Sequence, residues 1–218
     1  MEKSTLLLTG FAPFSKWDTN PSWEIARRLD GQVIGGLQIV ARELPVNWNG
    51  TWPLLKSAIE EIKPRHVLLL GLAGTRLKIS VESQGCNTCG TSPDNEGTLV
   101  GTSFVEENGP DSLPSTLPVA SMVRCIEQAG LPVEQSSSAG GYLCNHTLYK
   151  ALLWASKQPE PPDVGFIHVP PLRGMNPDFE GLDLESMVKA IYAAIEAIAG
   201  ATVEERELAT YSANQEKR

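Results

Sequence analysis

The chain has 218 residues, 41% of them hydrophobic and 20% charged, which suffices for one large folded domain with a full core. A net charge of −8 excludes polyanionic partners such as nucleic acid, since phosphate binding needs a basic surface. The apolar run Leu6–Leu8 is too short for a signal peptide, and no stretch reaches the roughly 18 apolar residues of a membrane span. Neither export nor a membrane partner is therefore expected. Four cysteines in such a chain are expected to be reduced thiols in the cytoplasm.

Short β-branched and Leu-rich runs alternate with longer amphipathic ones. Ser4–Thr9 reads as a buried strand stopping at Gly10. Asn20-Pro21-Ser22 opens a helix, with Asn20 as cap and Pro21 in the first turn, and Trp23–Leu29 continues it. Leu37–Leu44 is a second strand, and Trp52–Ile62 a helix with Leu54, Leu55, Ala58, Ile59 and Ile62 at helical spacing. His66–Leu70 is apolar enough for a central parallel strand covered on both faces. Residues 77–118, rich in Gly, Pro and Asn, suggest a hairpin-like excursion with long loops. Then come a helix at Ala120–Ala129, a strand at Val133–Ser137 and a helix at Asn145–Ser156. A strand at Val164–Val169 and a long helix at Leu184–Ala199 complete the domain. This order predicts an α/β fold: a single domain over residues 1–202, with a mostly parallel twisted sheet flanked by helices on both faces. Residues 203–218 are expected to be a polar, frayed tail.

In such sheets ligands bind beyond the carboxyl ends of the strands. His168 lies at the carboxyl end of the run Gly165–Val169 and should project toward that edge, whereas His66 opens its strand and should lie away from it. Cys144 sits at the start of a helix, where unpaired N–H groups and the macrodipole favour a thiolate and could hold an oxyanion. An imidazolium beside it would lower the thiol pKa further. His146 follows Cys144 by two residues, a turn of roughly 200°, so it is expected on the helix surface or behind the site. Cys125, mid-helix, reads as a small buried hydrophobe. Cys86 and Cys89 form one Cys-x-x-Cys pair, half a zinc site with no second half nearby, so no metal is expected. An imidazole base needs an orienting acid. Glu82 and Asp94 are both candidates by spacing.

Four blocks carry a resemblance over most of the chain: Thr9–Phe14 with Asn20–Glu24, Gly109-Pro110 with Ser115–Pro118, Ala139–Asn145, and Gly165–Pro171. Together they resemble pyroglutamyl peptidase type I, also called pyrrolidone-carboxylate peptidase. The resemblance implies a cysteine peptidase that removes an N-terminal pyroglutamyl residue from small peptides, without a cofactor, as a homodimer or homotetramer. It assigns the nucleophile to Cys144, the base to His168 and the orienting acid to Glu82. It also implies that Phe11 and Phe14 flank the lactam ring and that Asn20 supports their loop. The chain departs from the family pattern where Leu72 replaces a glutamine, Ser83 and Thr91 replace arginines, and Ser138 replaces a common aspartate. Leu72, at a glutamine position of the pocket, is thus a candidate binding residue. These departures leave open a shifted specificity toward another N-terminal or cyclic amide. Retention of Cys144, His168 and Glu82 argues against a purely binding homologue.

Overall fold

The computed structural model describes residues 4–201 except 102 and 179; the expected polar tail from Val203 lies outside the described residues. In chain order the elements are β1 (Thr5–Phe11), α1 (Pro21–Leu29), β2 (Val33–Ile34), β3 (Leu37–Leu44), α2 (Thr51–Ile62), β4 (His66–Leu72) and β5 (Ile79–Glu82). They continue with β6 (Gln84–Cys86), β7 (Ser112–Pro114), α3 (Val119–Gln128), β8 (Val133–Ser136), α4 (Leu143–Ala155), β9 (Asp163–Val169) and α5 (Leu184–Gly200). The sequence reading missed β2, a two-residue edge strand too short to show a period.

Seven strands form one sheet in the order β2-β3-β1-β4-β9-β5-β8. The strands β3, β1, β4 and β9 run parallel, each in register with its neighbour. Their alternate side chains enter two separate cores. Leu6, Leu8, Leu68 and Leu70 pack with Ile25 of α1, Met122 of α3 and Ile191 of α5. Leu7, Val67 and Leu69 point the other way, against Leu55 of α2 and Leu148 of α4. Burial on both faces is why these strands read as continuous apolar runs. In α5, Met187, Ile191, Ile195 and Ile198 are fully buried, each worth about 1.5–3 kcal/mol of transfer free energy.

Two local features follow the sequence closely. The side chain of Asn20 accepts from the Ser22 N–H at 3.1 Å and so caps α1, with Pro21 needing no donor there. Residues 84–114 form the expected hairpin-like excursion, closed by antiparallel pairing of β6 and β7. The excursion begins later than expected, however. β5 belongs to the main sheet, antiparallel to β9 and parallel to β8. That reversal decides the composition of the site.

Candidate active site

The carboxyl ends of β1, β4 and β9 and the amino end of α4 converge on a pocket of about 250 Å³. Phe11, Phe14, Asn20, Leu72, Cys144 and His168 all line it, together with Val46 and Tyr142, which the sequence reading did not single out. A larger groove of about 930 Å³ lies at the opposite edge, around Pro64, Arg65 and Trp154. No cysteine or histidine lines that groove, so the smaller pocket is the chemical one.

His168 is the penultimate residue of β9 and is 4% exposed. Its Nδ1 lies 2.7 Å from Oε1 of Glu82, which is completely buried. Because β5 runs against β9, Ser80 stands opposite His168 and Glu82 opposite Phe166. Glu82 and His168 are therefore diagonal neighbours on one face, within reach of a long side chain. With Glu82 ionised, Nδ1 carries the proton and Nε2 is left to act in the pocket. Burial alone would raise the Glu82 carboxyl. The hydrogen bond and charge of His168 and contributions from Ser136 and Arg76 outweigh that and hold it low. Burial is also the main reason the His168 imidazole is pushed down, against the opposing pull of Glu82.

Asp94, the other acid considered, belongs elsewhere. It accepts from the backbone N–H groups of Trp48, Glu96 and Thr98 and organises the loop around it.

Cys144 is the second residue of α4, whose first turn begins at Leu143, two residues earlier than the sequence suggested. The N-cap, Tyr142, supplies no side-chain hydrogen bond, so first-turn N–H groups remain open to a ligand. Gly71 makes room for the sulfur: a Cβ there would stand 2.8 Å from Sγ and 2.7 Å from Cζ of Phe166. The expectation of a lowered thiol pKa is corrected. Burial, and then the charge of Glu82, push the thiol up to about 12, against the smaller pulls of Arg76 and the residue's own N–H. Desolvation of the anion outweighs the pull of the helix terminus.

His146 is also not on the helix surface. It is 9% exposed and packs edge-to-face on Trp48 with ring centroids 5.5 Å apart. Its Nδ1 has no hydrogen-bond partner among the described residues, and burial lowers its pKa to about 4. Cys86 and Cys89 lie over the start of α4, where Asn145 clamps their loop. Its side chain bonds the N–H and carbonyl of Cys86 and the carbonyl of Thr88. Among the described residues no three metal-ligating side chains cluster. All four cysteines are free, and Cys125 packs against the core from α3.

Of the departures, Leu72 forms part of the pocket wall, while Thr91 is exposed. Ser83 is held by its backbone, donating to Ser136 and accepting from Ser115. The sequence reading missed Arg76, in the turn between β4 and β5, whose guanidinium contacts Glu82 and the carbonyl of Ser138. A charged residue six positions before a buried acid, just past the ligand edge, was the available signal.

Comparison with known proteins gives a consistent picture. The family model described as pyroglutamyl peptidase matches residues 4–201. The pyrrolidone-carboxylate peptidase of Escherichia fergusonii is 41% identical over 167 residues, 76% of this chain and 78% of that protein. Its counterpart from Cupriavidus pinatubonensis is 37% identical, covering 93% of this chain and 96% of its own. The crystal structure of Bacillus amyloliquefaciens pyroglutamyl peptidase I superposes with a TM-score of 0.87 at 30% identity, covering 91% of this chain and 98% of that one. The pyrrolidone carboxyl peptidase from Thermococcus litoralis gives 0.85 at 34% identity, covering 89% and 93%.

Proposed function

This chain belongs to the pyroglutamyl peptidase family, and we infer from that premise and from the pocket that Cys144, His168 and Glu82 carry out its hydrolysis. The reaction is that of a cysteine exopeptidase, releasing an N-terminal pyroglutamyl (5-oxoprolyl) residue from a peptide. The observation that carries the residue assignment is the 2.7 Å bond from Glu82 to His168, with Cys144 in the same pocket wall.

A flat lactam ring suits a small, largely apolar pocket bounded by Phe11, Phe14 and Leu72. Asn20 shapes that pocket indirectly. Its Oδ1 accepts from the N–H and hydroxyl of Ser22, and its Nδ2 donates to the Ala12 carbonyl, which fixes the loop bearing Phe14. With the scissile carbonyl against Sγ, Nε2 of His168 takes the thiol proton as the C–S bond forms. A neutral thiol beside a neutral imidazole is the resting pair that the shifts of both groups favour. Proton transfer is thus coupled to attack rather than completed beforehand. The open N–H groups at the start of α4 would hold the tetrahedral oxyanion. The imidazolium, stabilised by Glu82, then protonates the departing amine, and His168 activates water to release pyroglutamate from the thioester.

The free thiol suits a reducing compartment, and a cytoplasmic enzyme is proposed on that ground. No described helix is long and apolar enough to cross a membrane. A homodimer or homotetramer is the assembly proposed from the family resemblance, and sedimentation would test it.

The deciding experiment is hydrolysis of a pyroglutamyl amide by the purified protein, with and without prior iodoacetamide. Release that iodoacetamide abolishes, and that Cys144→Ala lacks while keeping the parent's unfolding temperature, supports the reading. Undiminished turnover in Cys144→Ala would refute the nucleophile. No release by the parent, with Cys144 still alkylated, would point to a different amide as substrate.

A further inference from the structure

Glu82 has no solvent exposure at all, and a buried carboxylate facing only a neutral imidazole is poorly compensated. Arg76 supplies what is missing. Its Nη1 lies 2.6 Å from Oε1 of Glu82, the same oxygen that faces Nδ1 of His168. Its Nη2 donates to the carbonyl of Ser138 at 2.7 Å. Ser138 opens the stretch that turns at Gly140, with φ of 80°, and delivers Cys144 to α4. One guanidinium thus joins the acid behind the base to the loop ahead of the nucleophile.

We propose that Arg76 is a positioning residue for the hydrolysis, holding Glu82 ionised and locking the 138–142 loop against it so that His168 and Cys144 keep their relative placement. The proposal rests on the assignment of Cys144, His168 and Glu82 given above. A planar fork with several donors can meet both acceptors at once, which a lysine ammonium cannot do with the same geometry.

The charged and titratable groups around Glu82 come from several elements: His168 on β9, Cys86 on β6, Cys144 on α4 and Arg76 in the turn before β5. The Cys86 thiol is raised by burial and then by Glu82, so it stays neutral near pH 7. Arg76 lowers both Glu82 and His168. Its removal raises both. The productive state needs an ionised Glu82 and a neutral His168, and each rise makes that state disappear at a higher pH. The acid limb of kcat/KM should therefore move upward. A residue that merely clamped a loop would lower the rate at every pH and leave the limb in place.

The test compares Arg76→Gln, which removes the charge, with Arg76→Lys, which keeps it. Two quantities are followed against pH: kcat/KM for a pyroglutamyl aminocoumarin, and the rate of Cys144 alkylation by iodoacetamide. Arg76→Gln should move the acid limb of both up by about one unit, as expected when a neighbouring opposite charge is lost. That shift makes the variant roughly tenfold slower on the acid side beyond any loss on the plateau. Arg76→Lys should keep the limb and lose only plateau kcat, because its single contact releases Ser138. A Gln variant whose limbs coincide with the parent's would overturn the proposal, as would a Lys variant shifted as far as Gln. If Arg76→Gln does not fold by circular dichroism, Arg76→Met takes its place as the charge-removing variant, with the same upward shift of the acid limb expected and the same coincidence with the parent overturning the proposal. A parent that alkylates with the expected profile but cleaves no pyroglutamyl amide would sink the substrate reading while leaving the role of Arg76 intact.

Discussion

The substitution Gly71→Ala separates the position of the nucleophile from its chemistry. Gly71 pairs with His168 across β4 and β9, and its missing side chain is the space that Cys144 Sγ and the Phe166 ring occupy. An added methyl would stand 2.8 Å from Sγ, 2.7 Å from Cζ and 3.1 Å from Cε1 of Phe166. Ordinary contact lies at about 3.5–4.0 Å, so sulfur and ring must each retreat by roughly 0.7 Å. Phe166 is fully buried and lies against the His168 ring, with centroids 4.6 Å apart, so the base moves with it. A misplacement approaching 1 Å costs about 100-fold in rate, and overpacking of this kind costs about 1–3 kcal/mol in stability. At about 2–4 °C per kcal/mol for a domain of this size, the melting temperature should fall by roughly 6 °C. The loss should appear mainly in kcat, since the displaced groups act in the chemical step. Steady-state kinetics and thermal unfolding check both effects, with Gly130→Ala excluded by its positive φ and Gly101→Ala as control because, among the described residues and apart from its chain neighbours, nothing lies within 4 Å of its added methyl. A Gly71→Ala enzyme with parental kcat and melting temperature would refute the claim that backbone approach at this glycine sets the nucleophile.

Two further expectations concern the support around the pocket. His146 has a folded-state pKa depressed to about 4 from the ordinary imidazole value of 6.5, so the unfolded chain takes up its proton first as pH falls. Stability should therefore drop between about pH 6.5 and 4, by about 3 kcal/mol from this residue alone, and urea unfolding of His146→Asn should show a flatter dependence over that window. Equal slopes for parent and variant would refute it. Asn145→Ala removes three hydrogen bonds of 2.8, 2.8 and 2.9 Å to the 86–88 loop from a fully buried side chain. It should cost about 3 kcal/mol in chemical denaturation and speed alkylation of Cys86 and Cys89, both held partly buried by that loop. Unchanged stability would mean that solvent replaces those bonds.

Much of this protein is written locally. The apolar run at 66–70 declared a strand buried on both faces, and Asn20-Pro21 declared the start of α1, because faces and caps depend on neighbours a few residues away. The same logic placed His168 at a strand end and Cys144 at a helix start, the two features that made a Cys–His site legible. It could not choose between Glu82 and Asp94. That choice depends on β5 running against β9, a pairing between segments about 86 residues apart. Nor could it find Arg76 or Gly71, whose roles exist only once the turn after β4 meets β5, β9 and α4. The thiol and His146 show the same division. A helix terminus can be read from sequence and argues for a thiolate, and spacing placed His146 off the nucleophile's face. Burial, which raises Cys144 and lowers His146, is a property of everything packed around them. Local pattern determined which residue types face the ligand edge, and long-range packing decided their partners and protonation states, because desolvation and cross-strand register are set by contacts distant in the chain.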